Sequence, residues 1–432
     1  MTGAFLYEIR KRPFLRPLIF WIVGILLQIC FPLQVISFVL LLVITAIILL
    51  SFVFSISSRH NNTLLYHNRW VWGIIFACVI IFLAIQVTGL TEMRLSVIQE
   101  PGFLLRKALE IQSQMVAKLD LLLLSDVDKT VLATLTVNYR KATTWELRSQ
   151  FSVTGVSHLL AVSGFHVGIV CAFVNILLSV FPRKRVVARW IKFIVTMLCV
   201  WTFTFVSGLA TAAVRAAVMI TIYLTGRALG RNTDKYNSLA GAAFCMLVYN
   251  PFYLFDIGFQ LSFVAVFFIL YLQPRISSLL EIRNPLIAYP WNVLTVTVSA
   301  QVGVIILCSY YFGQTSLVFL FTNLGLSLLA NILIPATLLW MIAPVWAPGM
   351  EIVRIIVETL TRWFMWIVES FASIPGATLQ VRFDLFTLIF SYLWLAFTLL
   401  YFRSHRYWML IASLSTLLAI ICWHLFKIFL SF

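Results

Sequence analysis

The chain has 432 residues, 62% of them hydrophobic and 11% charged, with a formal net charge of +16. Apolar runs of about 18 or more residues recur along it, which excludes a soluble globular domain and points to a polytopic helical membrane protein. Strand-period alternation is absent, which argues against a membrane barrel. The seven cysteines lie in apolar segments with no C-x-x-C pair, so neither a metal site nor a disulfide framework is expected.

The positive charge is not spread evenly. It collects at Arg10, Lys11, Arg12 and Arg16, at Arg59 and Arg69, at Arg183 to Lys192, at Arg227, Arg231 and Lys235, at Arg275 and Arg283, and at Arg403 and Arg406. Down to Arg283, an alternating topology puts all of these loops on one side. The positive-inside rule therefore accounts for them without any ligand, and it sets the N-terminus in the cytoplasm. Lys11, Arg12 and Arg16 precede an apolar run with no small-residue cleavage site after it, so no cleavable signal peptide is expected.

In chain order, residues 18–31, 34–54 and 70–90 read as three spans. Residues 92–157 form the one long polar segment. Its basic and acidic residues nearly balance, as suits an outside location. Leu104, Leu105, Ala108, Leu109, Ile111, Met115 and Leu119 fall at helical spacing, so 103–124 is expected as an amphipathic helix on the membrane surface. Residues 158–181 read as a span capped by Thr154 or Ser157. Residues 191–208 return, and 209–225 either cross or dip in as a re-entrant piece. Two short pieces, 238–250 and 259–272, are broken by Asn250-Pro251 and Asp256-Ile-Gly258; such breaks belong where a helix is buried in protein or lines a cavity. Residues 290–311 span again, and 315–343 read as a kinked or paired helix. Residues 351–369 carry Glu351, Arg354, Glu358, Arg362 and Glu369 on one face, and read first as an interfacial helix and second as a helix with a polar face on a channel. Residues 385–402 and 407–426 close the chain. The fold class expected is all-α: a polytopic helical membrane protein with roughly 10–11 transmembrane helices, broken or re-entrant helices among them, and one amphipathic surface helix.

The densest polar cluster in this apolar chain is Phe151-Ser-Val-Thr-Gly-Val-Ser-His158-Leu-Leu-Ala-Val-Ser163-Gly164-Phe-His166-Val-Gly168. Unpaired polar groups in hydrocarbon are expensive, so they mark candidate sites. The residues singled out are His158, Ser163, Gly164, His166 and Gly168 here, then Arg215, Asp256, Gln260, Ser262 and Gln301. Each has a plain structural alternative: the histidines and serines as interhelical hydrogen bonds, and Arg215 as half of a buried ion pair with Asp256 or Asp234.

HLLAVSGFHVG resembles the signature of the ComEC family of competence proteins. So do Ala212-Ala-Val-Arg215-Ala-Ala-Val-Met, Asn250-Pro251 with Gly258-Phe-Gln260-Leu-Ser262-Phe, Ala300-Gln301 with Tyr311-Phe-Gly313-Gln-Thr-Ser, and Ile374-Pro-Gly376-Ala. The resemblance runs from about Leu135 to Leu400. It implies a channel for single-stranded DNA in the cytoplasmic membrane, with 1–91 as N-terminal spans, 92–157 outside, 158–343 as the channel core and 344–432 as an amphipathic helix and terminal spans. The ten residues above would then line the strand's path, Arg215 as a phosphate contact. No OB-like domain fits before residue 158. Neither H-x-H-x-D-H nor G-x-x-x-x-G-K-[ST] occurs, so no nuclease domain, motor or cofactor is expected in the chain. The partners implied are single-stranded DNA, a cytoplasmic DNA-binding or motor protein, an extracytoplasmic DNA receptor, a separate nuclease, the lipid bilayer and a second copy of the chain. Two alternatives stay open: an intramembrane serine hydrolase using Ser163 with His166 or His158, and a secondary transporter for a small anion built around Arg215.

Overall fold

A backbone in hydrocarbon must satisfy its own hydrogen bonds, and the computed structural model meets that demand almost wholly with helices. It describes residues 12–31, 43, 45, 46, 69–95, 102–180, 186–230 and 233–430. Among them, α2 (Arg69–Leu95), α7 (Val186–Val206), α10 (Ile257–Ser277), α11 (Pro285–Tyr311), α12 (Phe319–Ile342), α14 (Leu385–Ser404) and α15 (Tyr407–Leu430) are long and apolar enough to cross a membrane. Two shorter apolar helices are α1 (Leu15–Cys30) and α6 (Gly164–Leu177). The span expected at 34–54 lies almost entirely outside the described residues. The chain divides into two compact units, Met1–Ser113 with Ser163–Phe263, and Gln114–Val162 with Val264–Phe432.

In the first unit α1 packs along α2, and α9 (Lys235–Tyr249) packs on α1 and on α8 (Thr211–Ala228). Trp21, Ile25, Ala84, Leu247 and Phe259 form the core here, and Trp21 Nε1 donates to the Leu247 carbonyl at 3.1 Å. Helices α6, α7 and α8 pack on one another. The break expected between 250 and 258 is a capped one. Asn250 accepts from the Phe252 N–H at 3.0 Å, Pro251 opens a 3-10 turn over Pro251–Phe255, and Asp256 accepts from the Phe259 N–H at 2.7 Å to open α10. These side chains take up the orphan donors that a helix interruption leaves.

The second unit contains a two-stranded antiparallel sheet. β1 (Gln314–Ser316) pairs with β2 (Thr378–Gln380) in the register Gln314–Gln380, Thr315–Leu379, Ser316–Thr378. Between the strands, α12 runs out and α13 (Met350–Ala372) runs back along it. Helix α12 is a single helix with Pro335 inside it, and its hairpin partner is α13. Helix α13 is therefore no isolated interfacial helix. Its apolar side, with Val357, Phe364 and Val368 fully buried, packs against α12, α4 (Asp126–Val137) and α5 (Trp145–Val153). Its charged side clamps one loop residue: Glu358 accepts the Leu123 N–H at 2.8 Å and Arg362 donates to the Leu123 carbonyl at 2.9 Å.

Helices α4 and α5 fall in the segment read as polar. They are capped by Ser125 and Thr144, and residues 131–137 are buried without a gap, so no periodicity announces α4. The amphipathic helix expected over 103–124 is α3 (Phe103–Ala117) followed by a 3-10 turn to Leu121. At the other end, Asp384 caps α14 and also accepts from Trp423 Nε1 and Lys427 Nζ, each at 2.7 Å, which ties the end of α15 to the start of α14.

Candidate functional site

The central stretch is not helical from His158, as expected, but from Gly164. Ser163 is the cap. Its hydroxyl accepts from the Phe165 N–H at 3.3 Å, while His166 Nδ1 accepts from the Ser163 N–H at 3.1 Å and lies 3.0 Å from Ser163 Oγ. This is a capping box with histidine at the third helical position. Because Nδ1 accepts, the neutral ring carries its proton on Nε2. Helix α6 has 14 residues and is about 21 Å long, short of the roughly 30 Å hydrocarbon thickness. Where a Cβ on Gly164 would stand, Ala216 of α8 is 3.6 Å away, so this face meets the helix that carries Arg215. Gly168 has nothing within 4 Å and looks onto open space among the described residues.

Arg215 is 5% exposed in α8. Its Nη1 lies 3.5 Å from Asp256 Oδ1, while Asp234, the other candidate partner, pairs with Arg12 at 3.3 Å. Arg215 Nε is buried with no hydrogen-bond partner among the described residues. A Cβ on Gly258 would stand 3.0 Å from Arg215 Nη2, so glycine there leaves room for the guanidinium. Two blocks distant in sequence, Ala212–Met219 and Asp256–Phe263, thus meet at one cation. Gln260 donates to the Leu254 carbonyl at 2.9 Å, and Ser262 is half-buried further along α10.

His158 and Gln301 belong to the second unit. His158 is exposed, with Asn323 and the Gly155 backbone as polar neighbours. Gly155 has φ +75°, and a Cβ there would lie 2.6 Å from Phe319 Cβ and 2.8 Å from Ser316 Cβ, so only glycine fits. Gln314 Nε2 donates to Ser152 Oγ at 2.6 Å. The sequence blocks around 152–158, 311–316 and 374–380 are thereby gathered at one end of α11 and α12.

From that end a file of polar side chains runs down the seam between α11 and α12, and sequence reasoning missed most of it. Asn323 donates to Thr297 at 2.6 Å, Ser327 donates to Asn323 at 3.2 Å, and Asn331 donates to the Ser327 carbonyl and to Tyr289 Oη, each at 2.7 Å. Gln301 sits one turn along α11 from Thr297. The available signal was the i, i+4, i+8 spacing of Asn323, Ser327 and Asn331 in an otherwise apolar helix. Asn323, Asn331 and Gln301 remain partly accessible. Among the described residues, no three His, Cys, Asp or Glu side chains converge on a metal position.

The family described as Competence protein matches residues 135–406. ComE operon protein 3 of Bacillus subtilis (strain 168) is 30% identical over 222 residues, which are 51% of this chain and 27% of that protein. The chain thus spans about a quarter of that relative's length. No solved structure matches.

Proposed function

Because this chain belongs to the competence protein family, we propose that it forms the membrane passage through which single-stranded DNA is taken up. The observation that carries this reading is Arg215. It is a buried cation inside a membrane protein, its carboxylate partner among the described residues, Asp256, is 3.5 Å away and about half exposed, and its Nε has no hydrogen-bond partner among the described residues. A guanidinium placed so can take a passing phosphate as a charge-assisted, forked hydrogen-bond partner. One such cation offsets much of the cost of bringing an anion into a low-dielectric passage.

The neutral file in the second unit suits the same task differently. Amides and hydroxyls partner a backbone phosphate or a base edge without holding it as a second cation would. The open side of Gly168 adds accessible surface that interhelical packing does not use. The protein sits in the cytoplasmic membrane with its N-terminus inside, residues 92–157 outside, and the basic stretches 183–192 and 227–237 inside. A separate nuclease and receptor outside, and a DNA-binding or motor protein inside, complete the system.

The test is a transformation assay in the competent host. Deletion of the gene should abolish uptake of labelled DNA into the cytoplasm, and the chain supplied in trans should restore it. Unchanged transformation in the deletion would remove the reading.

A further inference from the structure

Helices α10 and α14 end side by side, and between their last turns lies a groove of about 520 Å³. Its partly buried lining is apolar, with Leu272, Ile276 and Leu399, and its exposed lining includes Phe402, Arg275 and Arg403. Among the described residues, no acidic side chain lines it. Both arginines are exposed. Arg275 folds over the Tyr271 ring at 3.9 Å from the centroid and gives one donor to the Tyr271 carbonyl, which leaves its other donors for a ligand. Arg403 makes no ion pair or side-chain hydrogen bond among the described residues. Tyr407 and Trp408, 70% and 77% exposed, begin α15 directly after this end, and Trp291 Nε1 donates to the Ser277 carbonyl beside it. Exposed Tyr and Trp next to arginines mark the level of lipid headgroups.

We propose that this groove binds one anionic phospholipid, an acyl chain along Leu272, Ile276 and Leu399 and the headgroup phosphate between Arg275 and Arg403. The charge pattern selects the lipid class. Two cations with no carboxylate among the described lining residues favour a phosphate carrying net negative charge over a zwitterionic headgroup, whose ammonium they repel. The apolar lining selects a lipid over a soluble anion, because a free phosphate gains nothing from Leu272 or Leu399. The site depends only on the protein's place in a membrane, not on what crosses it.

The test is native mass spectrometry of the full chain released from bilayers of equal phosphatidylglycerol and phosphatidylcholine. The wild type should retain phosphatidylglycerol preferentially. At about 1 kcal/mol per basic residue, Arg275→Gln or Arg403→Gln should weaken retention about five-fold, and the pair about 25-fold. Ile276→Trp keeps both charges but fills the groove, and should also lose the lipid while melting at the wild-type temperature. Undiminished retention in the double variant overturns the proposal, as does undiminished retention in Ile276→Trp. Displacement of the lipid by millimolar inorganic phosphate would make this a free-anion site, and displacement by an oligothymidylate would make it a nucleic-acid contact. Either result overturns the lipid assignment.

Discussion

Arg215 Nη1 lies 3.5 Å from Asp256 Oδ1, and the two ends of the pair are unequal, with side chains 7% and 46% exposed. Asp256 also holds the Phe259 N–H at 2.7 Å, so it is an N-cap first and a counter-ion second. Removing Arg215 therefore does not strand a buried carboxylate. Arg215→Ala is expected in the membrane fraction at wild-type abundance on immunoblots, with transformation down roughly 30- to 150-fold, the worth of a charge-assisted hydrogen bond of about 2–3 kcal/mol. Arg215→Lys should keep part of the activity and Arg215→Glu should fall below Ala. Depleted Ala protein, or activity restored by Arg215→Glu with Asp256→Arg, would reduce Arg215 to a strut.

The capping box sets a test for the central serine. If the Ser163 hydroxyl serves as a helix cap, Asn or Asp should serve nearly as well, and Ala should cost about 1 kcal/mol of stability. Ser163→Asn is expected to transform within about three-fold of wild type, and the protein should not label with a fluorophosphonate. A labelled wild type that loses its label in Ser163→Ala would instead revive the hydrolase.

Gly155 and Gly168 offer a contrast within one motif. A methyl at 155 meets Ser316 and Phe319 inside 3 Å, on a backbone with φ +75°, whereas a methyl at 168 meets nothing. Gly155→Ala should lower abundance several-fold by pulse-chase. Gly168→Ala should leave abundance unchanged, and Gly168→Trp should block uptake if the open side is used. A stable Gly155→Ala protein would contradict the geometry.

Asp384 predicts a pH-dependent joint between the last two helices. Burial alone would raise its carboxyl, but hydrogen bonds from Lys427, Thr387 and Trp423 hold it well below the usual carboxylate range. A depressed folded-state value means the stabilisation is present above the unfolded value near 3.8 and is lost as pH falls through the folded one. The wild type should therefore melt at the same temperature from pH 8 to 5. Asp384→Asn should melt lower throughout that range, by about 2 kcal/mol of charge-assisted bonding. Tryptophan fluorescence in detergent reads both, and a pH-independent offset of zero would sink the joint.

Chain direction in the second unit is also testable. Helices α10 and α14 end at one groove, so the loops at 278–284 and 403–406 share a side, opposite to β2. In a background without the native cysteines, Glu281→Cys and His405→Cys should label from one side and Leu379→Cys from the other. Any other partition would break the threading.

Much of this was legible in the residues. Asn250-Pro251 and Asp256 announced a break because their side chains cap what they interrupt, and Arg215 announced itself by cost alone. What stayed hidden depended on partners far along the chain. Nothing local tells Gln314–Ser316 that its strand partner is Thr378–Gln380, or that Thr297 is the acceptor for Asn323. The start of α6 was misplaced because Thr154, Ser157 and Ser163 are all chemically able to cap, and only the return contact from His166 decides among them. Helix α13 showed its amphipathicity in the sequence, but not that Glu358 and Arg362 hold a loop by both backbone groups of Leu123.

The β1–β2 pairing also bears on biogenesis. The two strands are separated by the α12–α13 hairpin, about 60 residues. At roughly 5–20 residues per second of synthesis, β1 leaves the ribosome some 3–12 s before β2 exists. During that interval the Gln314–Ser316 backbone has no strand to answer it, and a backbone in that state is costly wherever water is scarce. The pairing can therefore close only after the whole hairpin has been made, and a chain halted anywhere between 317 and 377 lacks the strand that answers Gln314–Ser316.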